Sequence, residues 1–487
     1  MVYIPTGPFR NMDGFIGREK ELSELESIYS KKGFKSLIVY GRRRIGKTTL
    51  LENFIKDKRS LMIYSSESSF YENFTRLKRS VSSFLHRDLS EIDSFSEVMD
   101  LIADDVISNG GVVVFDEFPY LIEEAPFIPS AMQLFMDRLR NSDSMVILCG
   151  SSISLLLREV HDSGRPLYQR FNHEMRVDGL PLRTCKQFHP GMDDLEALKV
   201  YMLVGGVPQY HLAMDRPTFR ECIEECFLSS TGVLRNEPLS ILSELKPTEN
   251  YSSVVACIGN GVTKQSKIAS KLQLDRSELS KRLKKLEEIG IVGRHHPMLN
   301  SPKKPVYRIT DGIVAFQYDV LESFDASGMI AWTESEKYDV MEQTIDSFLG
   351  HRFEDVCADF LRLEYRTLEV GRWWGIAETK DGDGYENEDI DIVARAMDCN
   401  NHECWLAAEC KFRRRGAGHG DLCSLQRRWR SVGESGIPTF IVFSAMGFSD
   451  DLVEDSEDGR VTLFGIDELM GRTEPPDLGG LRHLRDE

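Results

Sequence analysis

Apolar positions follow two rhythms along this chain. In the first 180 or so residues, short unbroken apolar runs alternate with longer stretches of helical period. Leu37–Tyr40, the segment LMIYSS (61–66), Val112–Phe115 and MVILCGSS (145–152) are such runs. Runs of this kind read as strands buried on both faces, the signature of a parallel sheet. Between them lie amphipathic segments: Leu22, Leu25 and Ile28 share one face, and Phe74, Leu77, Val81 and Phe84 another. A last short strand is expected over Glu174–Val177, and residues 184–245 read as helices broken at Gly205-Gly206-Val207-Pro208.

The rhythm then changes. Segments 263–274 and 275–290 predict two helices, the second capped by Asp275, lined by Leu279, Leu283 and Leu286, and ended by Gly290. Two short strands, IVGRHHP and VYRIT, flank the basic loop NSPKKP. An acidic connector of low periodicity is expected over 322–341, followed by a helix, QTIDSFLGHRFEDVCADFLRLE. EDIDIVARA (388–396) and CWLAAECKF (404–412) read as a hairpin, with a final strand over 437–445 and an acidic tail.

Composition narrows the class. With 487 residues, 41% hydrophobic and 28% charged, the chain has the balance of a globular protein of about three domains. No apolar run approaches the roughly 18 residues of a membrane span, and the N-terminus lacks a signal-peptide pattern. Ten cysteines without a framework spacing predict reduced thiols and a cytoplasmic location; His402, Cys404 and Cys410 do not make a zinc spacing. The net charge of −18 argues against a protein that coats nucleic acid indiscriminately. Yet residues 261–310 hold twelve basic side chains against four acidic ones, a local balance of +8 that predicts a polyanion site.

The sharpest chemistry lies after the first apolar run. Gly41-Arg42-Arg43-Arg44-Ile45-Gly46-Lys47-Thr48-Thr49 is a P-loop in its strand–loop–helix setting. The glycines let backbone N–H groups and the following helix N-terminus wrap phosphates. Lys47 is expected on the β- and γ-phosphates, and the Thr48 hydroxyl on Mg²⁺. The three arginines stand where many P-loops carry small residues, and their direction is not readable. At the end of the run Val112–Phe115, 69 residues after Lys47, Asp116-Glu117 read as a Walker B pair. Asp116 would hold Mg²⁺ through water, and Glu117 would polarise the water that attacks the γ-phosphate. Ser151 or Ser152, at a polar strand tip, is either a γ-phosphate sensor or a helix cap, and both can hold at once. Arg170 or Arg165 is either a trans-acting arginine finger or a surface salt bridge.

The segments FIGREKEL, YGRRRIGKTTL, VVVFDEFPYL, ILCGSS, PLYQRF and GGVPQY, over about residues 13–245, resemble the archaeal-type ATPases of the AAA+/STAND group. The resemblance implies an α/β fold with a five-stranded parallel core in the order 5-1-4-3-2, a helical lid, nucleotide-driven conformational change and frequent oligomerisation. The boundaries expected are 1–183 for the ATPase core, 184–245 for the lid, 246–321 for a winged helix-turn-helix, 322–341 for the connector and 342–487 for the last domain. In the winged helix, Lys281, Arg282, Lys284 and Lys285 would project outward from the recognition helix, with Lys303 and Lys304 on the wing. Its use is either DNA contact or protein packing; base-edge readers are scarce, so DNA binding would be weakly sequence-specific.

In the last third, the strand period of two puts Glu409 and Lys411 on one face. A turn centred on Asn400 sets position 391 opposite 409, so Asp391, Glu409 and Lys411 would converge. Two carboxylates and a lysine suit metal-dependent phosphodiester hydrolysis. The segment resembles the PD-(D/E)xK restriction-endonuclease-like fold, although Ile390 rather than proline precedes Asp391. That resemblance implies an acidic helix residue, matched by Glu354, completing a Mg²⁺ site with Asp391 and Glu409. Residues 411–430 carry seven basic residues against one acidic. The alternative is a degenerate nuclease fold kept as a scaffold.

The expected protein is an ATPase, with ATP and Mg²⁺ as ligands, that couples nucleotide state to a DNA-directed, nuclease-like domain in defence or DNA processing. The alternative is a non-catalytic STAND-like switch or assembly platform that binds DNA or protein through the winged helix.

Overall fold

The computed structural model describes residues 15–243, 251–299, 304–325, 332–379, 384–433, 436–478 and 480–481. The chain divides into two compact units, one running to Leu180 and including Gly206–Gln209, the other formed by Pro181–Gly205 and the chain from Tyr210.

The first unit contains α1 (Glu19–Tyr29), β1 (Lys35–Tyr40), α2 (Lys47–Ile55), β2 (Ser60–Tyr64), α3 (Phe70–Leu85), α4 (Phe95–Asn109), β3 (Val112–Asp116), α5 (Pro119–Glu124), α6 (Ile128–Leu139), β4 (Met145–Gly150), α7 (Ile153–His161) and β5 (His173–Arg176). Its five strands are parallel in the order β2-β3-β4-β1-β5, the order expected. Every residue of β3 and β4 is buried, and five of the six in β1, as helices on both faces of a parallel sheet require. Tyr40 pairs with Gly150, and Tyr64 with Asp116, so the loops after β1, β3 and β4 leave from one edge of the sheet. That edge is where ligands of open α/β sheets bind. Gly206–Gln209 joins this unit: Leu180 N–H donates to the Gly206 carbonyl at 2.8 Å, and a Cβ at Gly206 would strike the Leu180 backbone.

The second unit begins with short helices, α8 (Leu182–Cys185), α9 (Asp194–Val204), α10 (Pro208–Ala213, whose first two residues belong to the first unit), α11 (Phe219–Ile223) and α12 (Glu237–Ser243). Then come α13 (Tyr251–Gly259), α14 (Gln265–Leu272), α15 (Arg276–Glu288) and an antiparallel pair, β6 (Val292–His295) and β7 (Val306–Ile309). Asp275 caps α15 through the Ser277 N–H at 2.8 Å, and Gly290 follows its end at φ +74°. Lys303 lies outside the described residues.

After α16 (Gly312–Phe316) and α17 (Glu322–Asp325), α18 spans Glu334–Glu364. The connector expected over 322–341 is therefore largely helical among its described residues. A capping box between Thr333 and Glu336 starts α18, and Tyr338, Met341 and Ile345 give it a buried stripe. A mixed sheet follows, in the order β12-β11-β10-β9-β8. β8 (Thr367–Glu378), β9 (Tyr385–Met397) and β10 (Glu403–Lys411) are antiparallel neighbours. After α19 (His419–Arg430), β11 (Thr439–Ser444) runs parallel to β10. β11 is not the last strand: beyond α20 (Asp450–Glu457), β12 (Thr462–Phe464) extends the sheet, and α21 (Ile466–Met470) follows.

Candidate functional site

The loop after β1 is shaped by backbone contacts as much as by its glycines. Gly46 caps α2 at φ +91°, a conformation that favours glycine, and Arg44 takes the same region at φ +66°. Gly41 is required for a different reason: a Cβ there would collide with the carbonyl of Val177, whose N–H donates to Tyr40 at 2.8 Å. Ile45 anchors the loop by its buried side chain, while Arg43 faces solvent and Arg42 and Arg44 are half-buried. Thr49, half-buried on α2, accepts from Asn53 Nδ2 at its carbonyl, 2.8 Å away.

Lys47 is buried, and its ammonium donates to the carbonyls of Gly41 and Arg42, both at 3.1 Å. The lysine is thus folded over the loop that it serves. Thr48 Oγ1 donates to Asp116 Oδ2 at 2.7 Å, while Asp116 Oδ1 is buried and has no hydrogen-bond partner among the described residues. An orphaned carboxylate oxygen beside a threonine hydroxyl fits a hard divalent cation, which takes oxygen ligands. Mg²⁺ therefore suits this pair of side chains.

Glu117 adopts φ +52°, a left-handed conformation unusual for a side chain of its size. Strain of that kind costs on the order of 1–3 kcal/mol and persists only where neighbours enforce it. Here Phe118 N–H donates to the Cys149 carbonyl at 2.9 Å, holding the turn against the end of β4. A Cβ at Gly150 would come within 2.5 Å of the Pro119 ring, so glycine is what allows the turn to pack there. The turn aims Glu117 at Ser151, whose N–H and hydroxyl both donate to Oε2, at 3.0 and 2.9 Å. Of the two serines, Ser151 thus meets the acid. Ser152 is the residue before α7 but makes no side-chain cap, which removes the capping alternative for it.

Arg18 is a participant that the sequence pattern disguises. It stands before α1 at φ +73°, is buried, and donates from Nη2 to the Ile45 carbonyl at 3.0 Å while pairing with Glu21 at 2.7 Å. Its only sequence signal is its place in FIGREKEL. Gly206–Gln209 also comes to the loop, with the Pro208 ring 3.9 Å from the Cβ position of Gly46.

The arginine candidates go elsewhere. Arg170 pairs with Asp137, and its carbonyl accepts from Ser36 Oγ at 2.9 Å, at the start of β1. The P-loop follows the other end of that strand, about 15 Å away. Arg170 therefore does not meet the P-loop of its own chain, which a trans-acting finger has no need to do, and its pair with Asp137 is the salt-bridge alternative. Arg165 lies 3.3 Å from the buried Glu159, the salt-bridge alternative.

In the second unit, α15 presents Lys281 and Lys284 to solvent, with Lys264, Lys267, Lys271, Arg276, Arg294 and Lys304 exposed around it. Arg282 does not project outward: it is buried and paired with Glu278 one turn earlier. Lys285 is half-buried, 3.8 Å from Glu288.

The β9–β10 register runs from Glu403↔Met397 to Ala408↔Ile392, centred on Asn400. It brings Asp391 beside β10, where Asp391 Oδ2 accepts from the Cys410 N–H at 2.8 Å. Lys411 pairs with Glu409, and Arg428 from α19 donates to the other Glu409 oxygen at 2.5 Å. Glu354 on α18 pairs with Arg372. Burial and then the neighbouring Glu354 charge push the Asp391 carboxyl up to about 6. Burial and then Asp391 raise Glu409, and burial raises Glu354 against the pull of Arg372. Lys411 is raised, because Glu409 and Asp391 together outweigh the burial that lowers it.

The three acids are thus electrostatically close, yet the metal set Glu354, Asp391 and Glu409 is not assembled as a cage. Arginine and lysine side chains already hold Glu354 and Glu409. Among the described residues no three His, Cys, Asp or Glu side chains are placed to hold a metal ion. Among those residues, too, no helix is long and apolar enough to cross a membrane.

Comparison with known proteins finds a family match over the region that holds the first of these sites. Residues 15–214 match an ATPase domain found predominantly in Archaea, and residues 327–421 match a family of archaeal and bacterial proteins of unknown function. An uncharacterized protein of Methanocaldococcus jannaschii is 27% identical over 393 residues, 78% of this chain and 84% of its own. An uncharacterized ATP-binding protein of the same organism is 40% identical over 45 residues, 9% of this chain and 76% of its own. The Walker-type ATPase of Pyrococcus abyssi superposes with a TM-score of 0.51 at 20% identity, over 64% of this chain and 98% of its own, a likeness of fold. Residues 15–214 are an archaeal-type P-loop ATPase domain.

Proposed function

We propose that this chain binds ATP with Mg²⁺ at Gly41–Thr48, hydrolyses it, and couples the nucleotide cycle to a DNA-directed second unit. The observation that carries the ATPase reading is the meeting of Thr48, Asp116, Glu117 and Ser151 at adjoining strand ends. Lys47 would leave its loop carbonyls for the β- and γ-phosphates. Thr48 and Asp116 would hold Mg²⁺, which neutralises charge across the phosphate oxygens. Glu117 orients the attacking water, and Ser151 fixes where Glu117 points. In Lys47→Ala, nucleotide binding measured by calorimetry should fall beyond detection and phosphate release should cease; unchanged turnover would refute the assignment.

The succession of α13, α14, α15, β6 and β7, with exposed lysines on α15, supports a winged helix-turn-helix that binds DNA through its phosphates. Charge-reversing Lys281 and Lys284 should weaken binding to duplex DNA and flatten its salt dependence, whatever the sequence. Binding that is indifferent to both changes would favour a protein-packing role.

A nuclease-like C-terminal site is the second reading. It is favoured by the order helix, three antiparallel strands, helix, parallel strand, formed by α18, β8–β10, α19 and β11, and by Asp391, Glu409 and Lys411 meeting in register. With Glu409 and Glu354 held by arginines, these acids do not fit a metal ion as they stand, and no hydrolytic step is assigned to them. Cleavage of DNA or RNA by the wild type with Mg²⁺, lost in Asp391→Ala, would establish the activity. DNA binding without cleavage, with or without ATP, would establish the non-catalytic switch.

A further inference from the structure

Three side chains on α19 and α20 of the second unit form a relay that neither reading uses. His419 is the first residue of α19, and Cys423 lies one turn later on the same face. Cys423 Sγ is 3.1 Å from His419 Nε2. The other ring nitrogen, Nδ1, is 2.5 Å from Asp455 Oδ2. Asp455 comes from α20 and is buried, and its second oxygen accepts from Arg460 Nη1 at 2.8 Å. Thiol, imidazole and buried carboxylate thus stand in series, with the thiol exposed.

The order of the groups sets their roles. Asp455 accepts a hydrogen bond from Nδ1–H and so turns the Nε2 lone pair toward the sulfur. The hydrogen bond to Asp455, and then its charge, raise the proton affinity of His419; Asp451 adds to this and Arg460 opposes it. A base beside a thiol, oriented by a third group, is the arrangement that makes a sulfur nucleophilic. No other exposed cysteine among the described residues has it. Cys399 is the comparison, exposed like Cys423, with its backbone N–H on the Gly480 carbonyl and, among the described residues, no imidazole hydrogen-bonded to its sulfur.

We propose that Cys423 is a thiol-modification site that reacts with low-molecular-weight disulfides, with His419 as its base and Asp455 as the positioning residue. The sulfur attacks one sulfur of the disulfide as its proton passes to His419 Nε2. A new S–S bond forms to Cys423, the original S–S bond breaks, and the departing thiolate takes the proton from His419. One thiol and one disulfide become one mixed disulfide and one thiol, so no further oxidant is needed. The open position of Cys423 suits a small, solvent-borne reagent.

The test uses the full chain and oxidised glutathione at pH 7, with the adducts at Cys423 and Cys399 followed by peptide mass spectrometry. An unassisted thiol is only a few per cent thiolate at that pH, so assistance has room for about thirtyfold. Cys423 should react at least about tenfold faster than Cys399. His419→Gln should remove most of that advantage and Asp455→Asn part of it, while Cys399 keeps its rate. General loosening of the fold would accelerate Cys399 and the buried cysteines as well, which separates it from loss of the base. Equal rates in the wild type, or an advantage that survives His419→Gln, would overturn the proposal.

Discussion

Ser151 gives both its backbone N–H and its hydroxyl to one oxygen of Glu117, at 3.0 and 2.9 Å. The acid is held from β4, the strand next to its own, while its backbone is in a left-handed turn. Two charge-assisted bonds on one oxygen fix the direction of a group whose task is directional. Ser151→Ala removes the hydroxyl bond and leaves the N–H bond. Its kcat for ATP hydrolysis should fall by on the order of tenfold, in keeping with the lower end, about 1.5 kcal/mol, of the range for bonds to charged groups. Nucleotide affinity should stay within about twofold, which steady-state kinetics beside equilibrium binding would read.

Among the described residues Asp116 carries a buried oxygen without a hydrogen-bond partner, a cost that a bound cation would offset. Asp116→Asn should therefore melt no lower than the wild type without ligand, because Thr48 can still donate to the amide oxygen. The additional stabilisation given by Mg²⁺ with ATP should disappear. Thermal melts with and without Mg²⁺-ATP check both halves.

Arg18 reaches the P-loop from before α1 by donating to the buried Ile45 carbonyl. In Arg18→Ala that carbonyl loses its partner, at roughly 1–3 kcal/mol. The KM for ATP should rise and denaturant stability should fall together. Arg18→Lys should not rescue, since one ammonium cannot serve Ile45 and Glu21 with the fork geometry that arginine has.

How much of this was legible in the sequence depends on whether the signal was local. The fully apolar runs of β3 and β4 announced themselves, and so did the P-loop between β1 and α2, because each is written in consecutive residues. The Asp391–Glu409 register was readable because strand pairing has a fixed period and the turn at Asn400 has few ways to close. Arg18 and Arg170 were not readable: their partners, Ile45 and Asp137, are 27 and 33 residues away. Arg282 was misread because the run Lys281-Arg282-Leu283-Lys284-Lys285 hides which basic residue turns inward, and Glu278 one turn earlier decides it. β8 escaped because its register shifts near Thr367 and Gly371 interrupt the alternation that marks a strand.

Asp391 gives a pH dependence. Its carboxyl is raised from 3.8 to about 6 by burial and then by Glu354, so the folded state holds this proton more tightly than the unfolded chain. The associated stability is fully present below about pH 3.8 and is lost as pH rises through about 6, beyond which it is flat. Asp391→Asn stays neutral throughout and keeps an acceptor for the Cys410 N–H. It should stabilise the protein at pH 7–8 by on the order of 3 kcal/mol, with the gain vanishing toward pH 4. Melts across that range in EDTA would show the convergence; a gain independent of pH would reject burial of this charge as the cause.

In the proposed ATPase, Glu117 is the residue that turns a nucleotide site into a hydrolytic one. The most direct measurement is phosphate release by Glu117→Gln, with Mg²⁺-ATP binding determined on the same preparation. Binding should match the wild type within a few-fold while turnover falls at least about a hundredfold, the scale expected when a positioned base is removed. Turnover equal to the wild type with binding intact would contradict the account.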